Sequence, residues 1–255
     1  MTLNAHGLPL LYVVVLWFLS TALVVWLDNR ASRSFGSSLT VAGIFAVVGT
    51  ILITIAARDT SAFASYVAFT ATFAVWGYHE MSFLMGKLTG PRRTECPDDA
   101  RGWTRFKLSV ATVIYHELAL FATLGLLAVL TWGQPNGTGV AAFAILLAMR
   151  LSTKLNIFMG VPNFSSEILP PQLAYLKSYF RKRAFNPLMP VSLVAAGGLT
   201  YWLGQSALAS DGDTATALSL LTGLALLGVI EHIFLVLPLA DSALWRWAMP
   251  DAKRI

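Results

Sequence analysis

Apolar residues run through this chain in blocks too long for the core of a small soluble domain. Seven blocks, at about residues 9–28, 38–57, 62–86, 108–132, 138–160, 190–209 and 214–238, stand out. Each reaches the roughly 20 residues that an α-helix needs to cross a bilayer. Short segments of strict alternation, the mark of a membrane β-barrel, do not recur. The pattern predicts an all-α fold: a polytopic integral membrane helical bundle of about seven transmembrane helices, forming one domain over residues 1–255. Composition agrees, since 56% of residues are hydrophobic and only 12% are charged, about half the charge of a soluble domain.

Charge then orients the bundle. Arg30 and Arg33 follow the first span. The loop 87–107 holds Lys87, Arg92, Arg93, Arg101, Arg105 and Lys107, and the loop 161–189 holds Lys177, Arg181, Lys182 and Arg183. Arg246, Lys253 and Arg254 follow the last span. The alternate connections, "ARDTSA", "GQPNGTG" and "SDGDTA", carry a single arginine between them. By the positive-inside rule the N-terminus is periplasmic, loops 87–107 and 161–189 are cytoplasmic, and the C-terminus is cytoplasmic, which requires an odd number of spans. The net charge of +5 follows from this bias and implies no nucleic acid. The opening "MTLNAHGLPLLYVVV" lacks the basic region and cleavage site of a signal peptide, so its apolar stretch is expected to stay as a span. A single cysteine, Cys96, excludes an internal disulfide.

Several smaller features carry expectations. "QLAYLKSYFRKR" spaces Leu173, Leu176 and Phe180 at helical intervals opposite Lys177 and Arg181. It reads as a short amphipathic helix on the membrane surface, or as a basic loop held by anionic headgroups. "NGT" at 136–138 matches a glycosylation sequon, a weak signal by itself. Trp26, Trp103, Trp132, Trp245 and Trp247 sit at span ends as an aromatic belt would.

The chemistry lies in the ionisable residues within the spans. His6 precedes the first span and is expected to be solvated. The other three histidines each stand beside a glutamate: His79–Glu80, His116–Glu117 and Glu231–His232. Counting 1.5 Å per helical residue from the predicted span ends, all three pairs lie roughly 9–12 Å below the cytoplasmic boundary. Arg150 and Lys154, spaced i,i+4, share one face of the fifth span in the same layer. Tyr78 and Tyr115 precede two of the pairs as hydrogen-bond donors, and Asn156 lies nearby. Glu167 falls just outside the layer, either as a further ligand or as a cap on the amphipathic segment, with the cap preferred. Groups of this kind in hydrocarbon need partners.

Three readings compete. Imidazoles and carboxylates from several helices suit a dinuclear metal centre, with iron favoured. Adjacent residues, however, point about 100° apart on a helix, so one helix cannot readily offer both to one ion. A histidine is also a natural axial ligand for a tetrapyrrole. Finally, the carboxylates, cations and imidazoles can neutralise one another as a buried ion network that fixes packing.

The blocks "WGYHEMSFLMGKLTGPRR", "YHELALFATLG", "MRLSTKLNIFMGVPNFSSEILPPQLAYLKSYF" and "IEHIFLVLPL…ALWRW" together resemble the PuhE family of photosynthetic complex assembly proteins, from about residue 8 to 247. The matching motif positions are His79, Glu80, His116, Glu117, Arg150, Lys154, Asn156, Asn163, Glu231 and His232. The resemblance implies a multi-pass protein of the bacterial inner membrane that supports assembly of the photosynthetic reaction centre and antenna. It carries no named molecular activity. Joined to the cluster, it leaves two expectations. One is a metal-dependent oxidoreductase that oxidises a lipophilic pigment or quinone. The other is a non-enzymatic chaperone that holds a tetrapyrrole such as bacteriochlorophyll, or a nascent reaction-centre subunit.

Overall fold

A computed structural model describes residues 2–163 and 169–237 of the chain. Within them the backbone forms seven long helices: α1 (Leu8–Asp28), α2 (Phe35–Ala56), α3 (Ala62–Leu84), α4 (Gly102–Leu130), α5 (Thr138–Met159), α6 (Leu188–Leu208) and α7 (Gly212–Phe234). Helices satisfy their own N–H and C=O groups, which hydrocarbon cannot. Five of them, α1, α2, α4, α5 and α7, are long and apolar enough to cross a membrane. In α3 and α6 the apolar run is diluted by Ser, Thr, Tyr and Gly. Glu167, Pro238 and the tail with Arg246, Lys253, Arg254, Trp245 and Trp247 lie outside the described residues.

The outer surface shows which solvent the fold expects. Val41, Ile44, Phe45, Val47, Val48, Ile51, Leu52 and Ile55 of α2 are all exposed. An unbroken apolar face of that kind would drive aggregation in water. Facing lipid, it costs nothing. The chain is a multi-pass membrane protein.

Packing sets α3, α5 and α7 against one another at the centre, with α2 on α3, α4 on α5, and α6 on α7. One core joins Val13, Phe69, Phe73, Met149, Leu203, Leu220 and Leu224 from α1, α3, α5, α6 and α7. A second joins Ile53, Val75, Leu120, Leu127, Phe143 and Leu147 from α2, α3, α4 and α5. Small residues permit the close crossings. At Gly228 of α7 a Cβ would fall 2.7 Å from Met149 Cγ of α5.

Three expectations change. His6 is buried, and its Nε2 lies 3.2 Å from the Ala207 carbonyl at the end of α6. Asn136 is buried too. Its Nδ2 donates to the carbonyls of Ala56 and Asp59 at 3.2 and 2.8 Å, and its Oδ1 caps α5 by accepting from Thr138 N–H at 3.1 Å. That buried asparagine fastens the α2–α3 connection to α5, with its amide nitrogen already engaged. The segment Pro171–Tyr179 is a 3₁₀ helix. With three residues per turn, Leu173, Leu176 and Tyr179 align on one side, and all three are buried. Leu173 and Leu176 pack on Phe83, Leu84 and Val113. The segment is a strap across the ends of α3 and α4, not a helix lying on lipid.

The strap recruits two of the basic residues. Arg92 Nε donates to Tyr179 Oη at 2.6 Å, and Arg105 Nη2 donates to the Tyr179 carbonyl. Beneath it, the loop after α3 turns back onto α4. The His116 N–H donates to the Thr89 carbonyl at 3.0 Å, and the Arg92 N–H donates to the Ala111 carbonyl at 3.0 Å. Gly90 lies between these bonds, so close to α4 that a Cβ there would stand 2.2 Å from the Ala111 oxygen.

Candidate intramembrane site

Each His-Glu pair splits between two neighbours, as the 100° offset of adjacent helical residues requires. On α3, His79 turns to α4, with Nε2 2.9 Å from Thr123 Oγ1. Glu80 turns to α5 and accepts from Arg150 Nη2 at 2.8 Å. On α4, Glu117 pairs with Lys154 of α5, while His116 packs on Phe83 with its Nε2 3.9 Å from Glu80 Oε1. On α7, His232 Nε2 meets Ser152 Oγ of α5 at 2.8 Å and Nδ1 meets the Gly228 carbonyl at 2.7 Å. Glu231 lies beside the side chain of Trp17 on α1.

Helix α5 organises all of this. Arg150 and Lys154, one turn apart, hold the carboxylates of α3 and α4. Ser152, on another face, receives His232. The α3 and α4 pairs therefore share one layer, as the depth count predicts, whereas the α7 pair reaches α5 from a different side. Five ionisable groups in this layer keep buried atoms with no hydrogen-bond partner among the described residues: Glu80 Oε1, Glu117 Oε2, His79 Nδ1, Arg150 Nε and both ring nitrogens of His116.

Of the remaining expected partners, Asn156 is fully buried and links α5 to α6. Its Nδ2 donates to Ser192 Oγ at 2.8 Å, and its Oδ1 accepts from Asn186 Nδ2 at 2.9 Å. Its role is to hold the helices together. Tyr115 is 51% exposed, on the lipid side of α4 away from His116. Tyr78 stacks edge-on against His79 and approaches Gly43 of α2.

Among the described residues no three His, Cys, Asp or Glu side chains are gathered closely enough to hold a metal ion. Glu80 and Glu117 are bound to cations, and the three histidines face three different surroundings. As arranged, these residues do not fit a dinuclear centre.

The arrangement instead opens onto a cavity of about 380 Å³ between α1, α3, α5 and α7. Its walls are mostly apolar, including Trp17, Phe73, Trp76, Met149 and Leu227. Glu80, Arg150 and Glu231 are its charged groups. Mostly apolar walls with a few convergent polar groups are the usual make-up of a small-molecule site, and this volume is at the small end of that range. Near one end, Asp28 of α1 is 4% exposed with both carboxylate oxygens unpartnered, close enough to Glu80 for their charges to interact. Trp17, Thr123, Ser152 and Asp28 escape a search for ionisable residues inside spans. Asp28 closes an apolar run and reads as a boundary, and the others are ordinary helix residues until their neighbours are known.

The match to a family model runs over residues 3–255. The chain belongs to the family described as "Protein of unknown function (DUF3623)". A relative of this DUF3623 protein, in Rhodobacter capsulatus, is described as an "Uncharacterized 30.4 kDa protein in puhA 5'region". The two are 37% identical over 256 residues, covering 98% of this chain and 93% of the relative. No solved structure matches the DUF3623 chain.

Proposed function

We propose that this DUF3623 protein is an inner-membrane assembly factor for the bacterial photosynthetic reaction centre and its antenna, and that it works by holding a lipophilic molecule inside the bilayer. Seven spans with the N-terminus periplasmic and the C-terminus cytoplasmic complete the reading. The relative's position 5′ of puhA supports the photosynthetic setting, as does the resemblance to the PuhE family.

One observation carries the molecular part: the apolar cavity between α1, α3, α5 and α7 with Glu80, Arg150 and Glu231 on its wall. An apolar ligand body would be held by Trp17, Phe73 and Trp76. A carbonyl or hydroxyl on it would meet Arg150, whose Nε is buried and unpartnered. The volume suits a quinone-like ring, or one substituted edge of a pigment, better than a whole macrocycle. The pairing of Glu80 with Arg150 and of Glu117 with Lys154 favours a holding role over metal-centred oxidation. In these pairs each carboxylate is met by a protein cation rather than left free as a ligand.

The test is extraction and mass spectrometry of the lipophilic molecules that co-purify with the detergent-solubilised protein, compared between wild type and Thr21→Phe, which fills the cavity from α1. The expected result is a pigment or quinone present in wild type and depleted in the variant. Equal content in both sinks the cavity reading. Iron at near-stoichiometric level in the same preparation would favour the oxidoreductase instead.

A further inference from the structure

A second cavity, of about 190 Å³, lies apart from the first, where the loop after α3 meets the strap. Its lining includes Met85, Lys87, Thr89, Arg93, Gln172 and Tyr175. Lys87 and Arg93 are exposed cations, and among the described residues neither has a carboxylate partner. Thr89 is 1% exposed, and its hydroxyl completes no hydrogen bond among the described residues. The Tyr175 hydroxyl is buried in the same condition. The two hydroxyls are near neighbours without reaching bonding geometry.

Buried hydroxyls left without partners cost free energy, and beside them, among the described residues, stand two cations with no carboxylate within ion-pair distance. One group would satisfy all four: an oxyanion that takes charge-assisted bonds from Arg93 and Lys87 and hydrogen bonds from the hydroxyls. Arginine offers a planar fork and lysine a point charge, the usual combination for phosphate. The space is too small for a nucleotide, because pockets for drug-sized ligands begin at roughly 300 Å³. The cavity also adjoins the end of α3 at Leu84, where a span reaches its boundary, with Met85 as an apolar wall. Anionic headgroups at that depth attract basic segments.

We propose that Lys87, Arg93, Thr89 and Tyr175 form a binding site for a phosphate group, that of an anionic phospholipid headgroup at the membrane boundary. The site does not depend on the occupant of the larger cavity.

Native mass spectrometry on the delipidated full-length protein in detergent tests it. The probes are phosphatidylglycerol, phosphatidylcholine and inorganic phosphate, added separately. The variants are Lys87→Gln/Arg93→Gln, Thr89→Val, and Lys177→Gln/Lys182→Gln as a control that removes the same two charges from exposed positions outside the cavity. The expected result is one tightly held phosphatidylglycerol in wild type. Its affinity falls about tenfold or more in Lys87→Gln/Arg93→Gln and severalfold in Thr89→Val, and is unchanged in Lys177→Gln/Lys182→Gln. Binding of inorganic phosphate, lost in Lys87→Gln/Arg93→Gln, would support the same oxyanion site with a soluble phosphate as its source. The proposal is overturned if Lys87→Gln/Arg93→Gln binds phosphatidylglycerol and inorganic phosphate as wild type does, or if Lys177→Gln/Lys182→Gln loses as much affinity as Lys87→Gln/Arg93→Gln. Melting without added lipid checks that each variant is folded.

Discussion

Gly90→Ala is the sharpest test of how the loop after α3 is joined to α4. The added methyl would stand 2.2 Å from the Ala111 oxygen and 2.7 and 2.8 Å from backbone atoms of Thr112 and Val113. None of these is a side-chain tip that can swing aside. The loop must retreat by roughly 1 Å before ordinary contact distances return. At that displacement the 3.0 Å bonds from His116 N–H to Thr89 and from Arg92 N–H to Ala111 no longer have bonding geometry. Each buried group left unsatisfied costs about 1–3 kcal/mol, so two lost bonds cost roughly 2–6 kcal/mol. For a chain of this size that corresponds to a fall in melting temperature on the order of 10 °C. The assay is thermal unfolding in detergent, with Gly125→Ala as the control. Gly125 is an α4 glycine with open space around its Cβ position, and alanine there is expected to be neutral or to stabilise by about 0.5–1 kcal/mol. If Gly90→Ala melts within a degree of wild type, the loop does not grip α4 as described.

Three further outcomes follow from the site and its supports. A double-mutant cycle of Glu117→Gln and Lys154→Met is expected to return a favourable coupling of about 0.5–3 kcal/mol in thermal stability, and additivity would mean the pair does not interact. Asn136→Ala is expected to destabilise the protein by roughly 1–3 kcal/mol through the lost α5 cap and the carbonyls of Ala56 and Asp59 left bare, and a glycan at Asn136 in a glycosylating host would contradict its burial. Asn186→Ala removes the 2.9 Å bond to Asn156 Oδ1. Its expected effect is a lower melting temperature with retained ligand content, whereas loss of the co-purifying molecule at unchanged stability would move Asn156 from support to binding.

Much of the architecture was legible because bilayer crossing is a local property of the chain. Span ends read from apolar runs fall within a few residues of the helices at α1, α2, α3, α5, α6 and α7. At α4 the run begins near 108, while the helix starts at Gly102, because its first turns carry Arg105 and Lys107. A hydropathy reading stops at charge, but Arg105 is turned inward onto the strap. That the pairs of α3 and α4 stand level with Arg150 and Lys154 was also legible, since rise can be counted along a helix. What those groups meet was not. Rotation about each helix axis decides whether Glu80 faces His116, Arg150 or the cavity, and it is set by packing among α3, α5 and α7. The strap was misread for a related reason: its apolar residues suit a period of three as well as 3.6, and contact with Phe83 and Leu84 selects the tighter winding.

The hydrogen bonds between Thr89 and His116 and between Arg92 and Ala111 also bear on how the protein is made. A helix entering the bilayer carries its own backbone pairing with it, yet here part of the α4 backbone is engaged by the segment synthesised just before it. Both partners of this joint precede α5 in the chain, and with it the cations that neutralise Glu80 and Glu117. A truncation ending after α4 is therefore the shortest N-terminal piece that contains the whole joint.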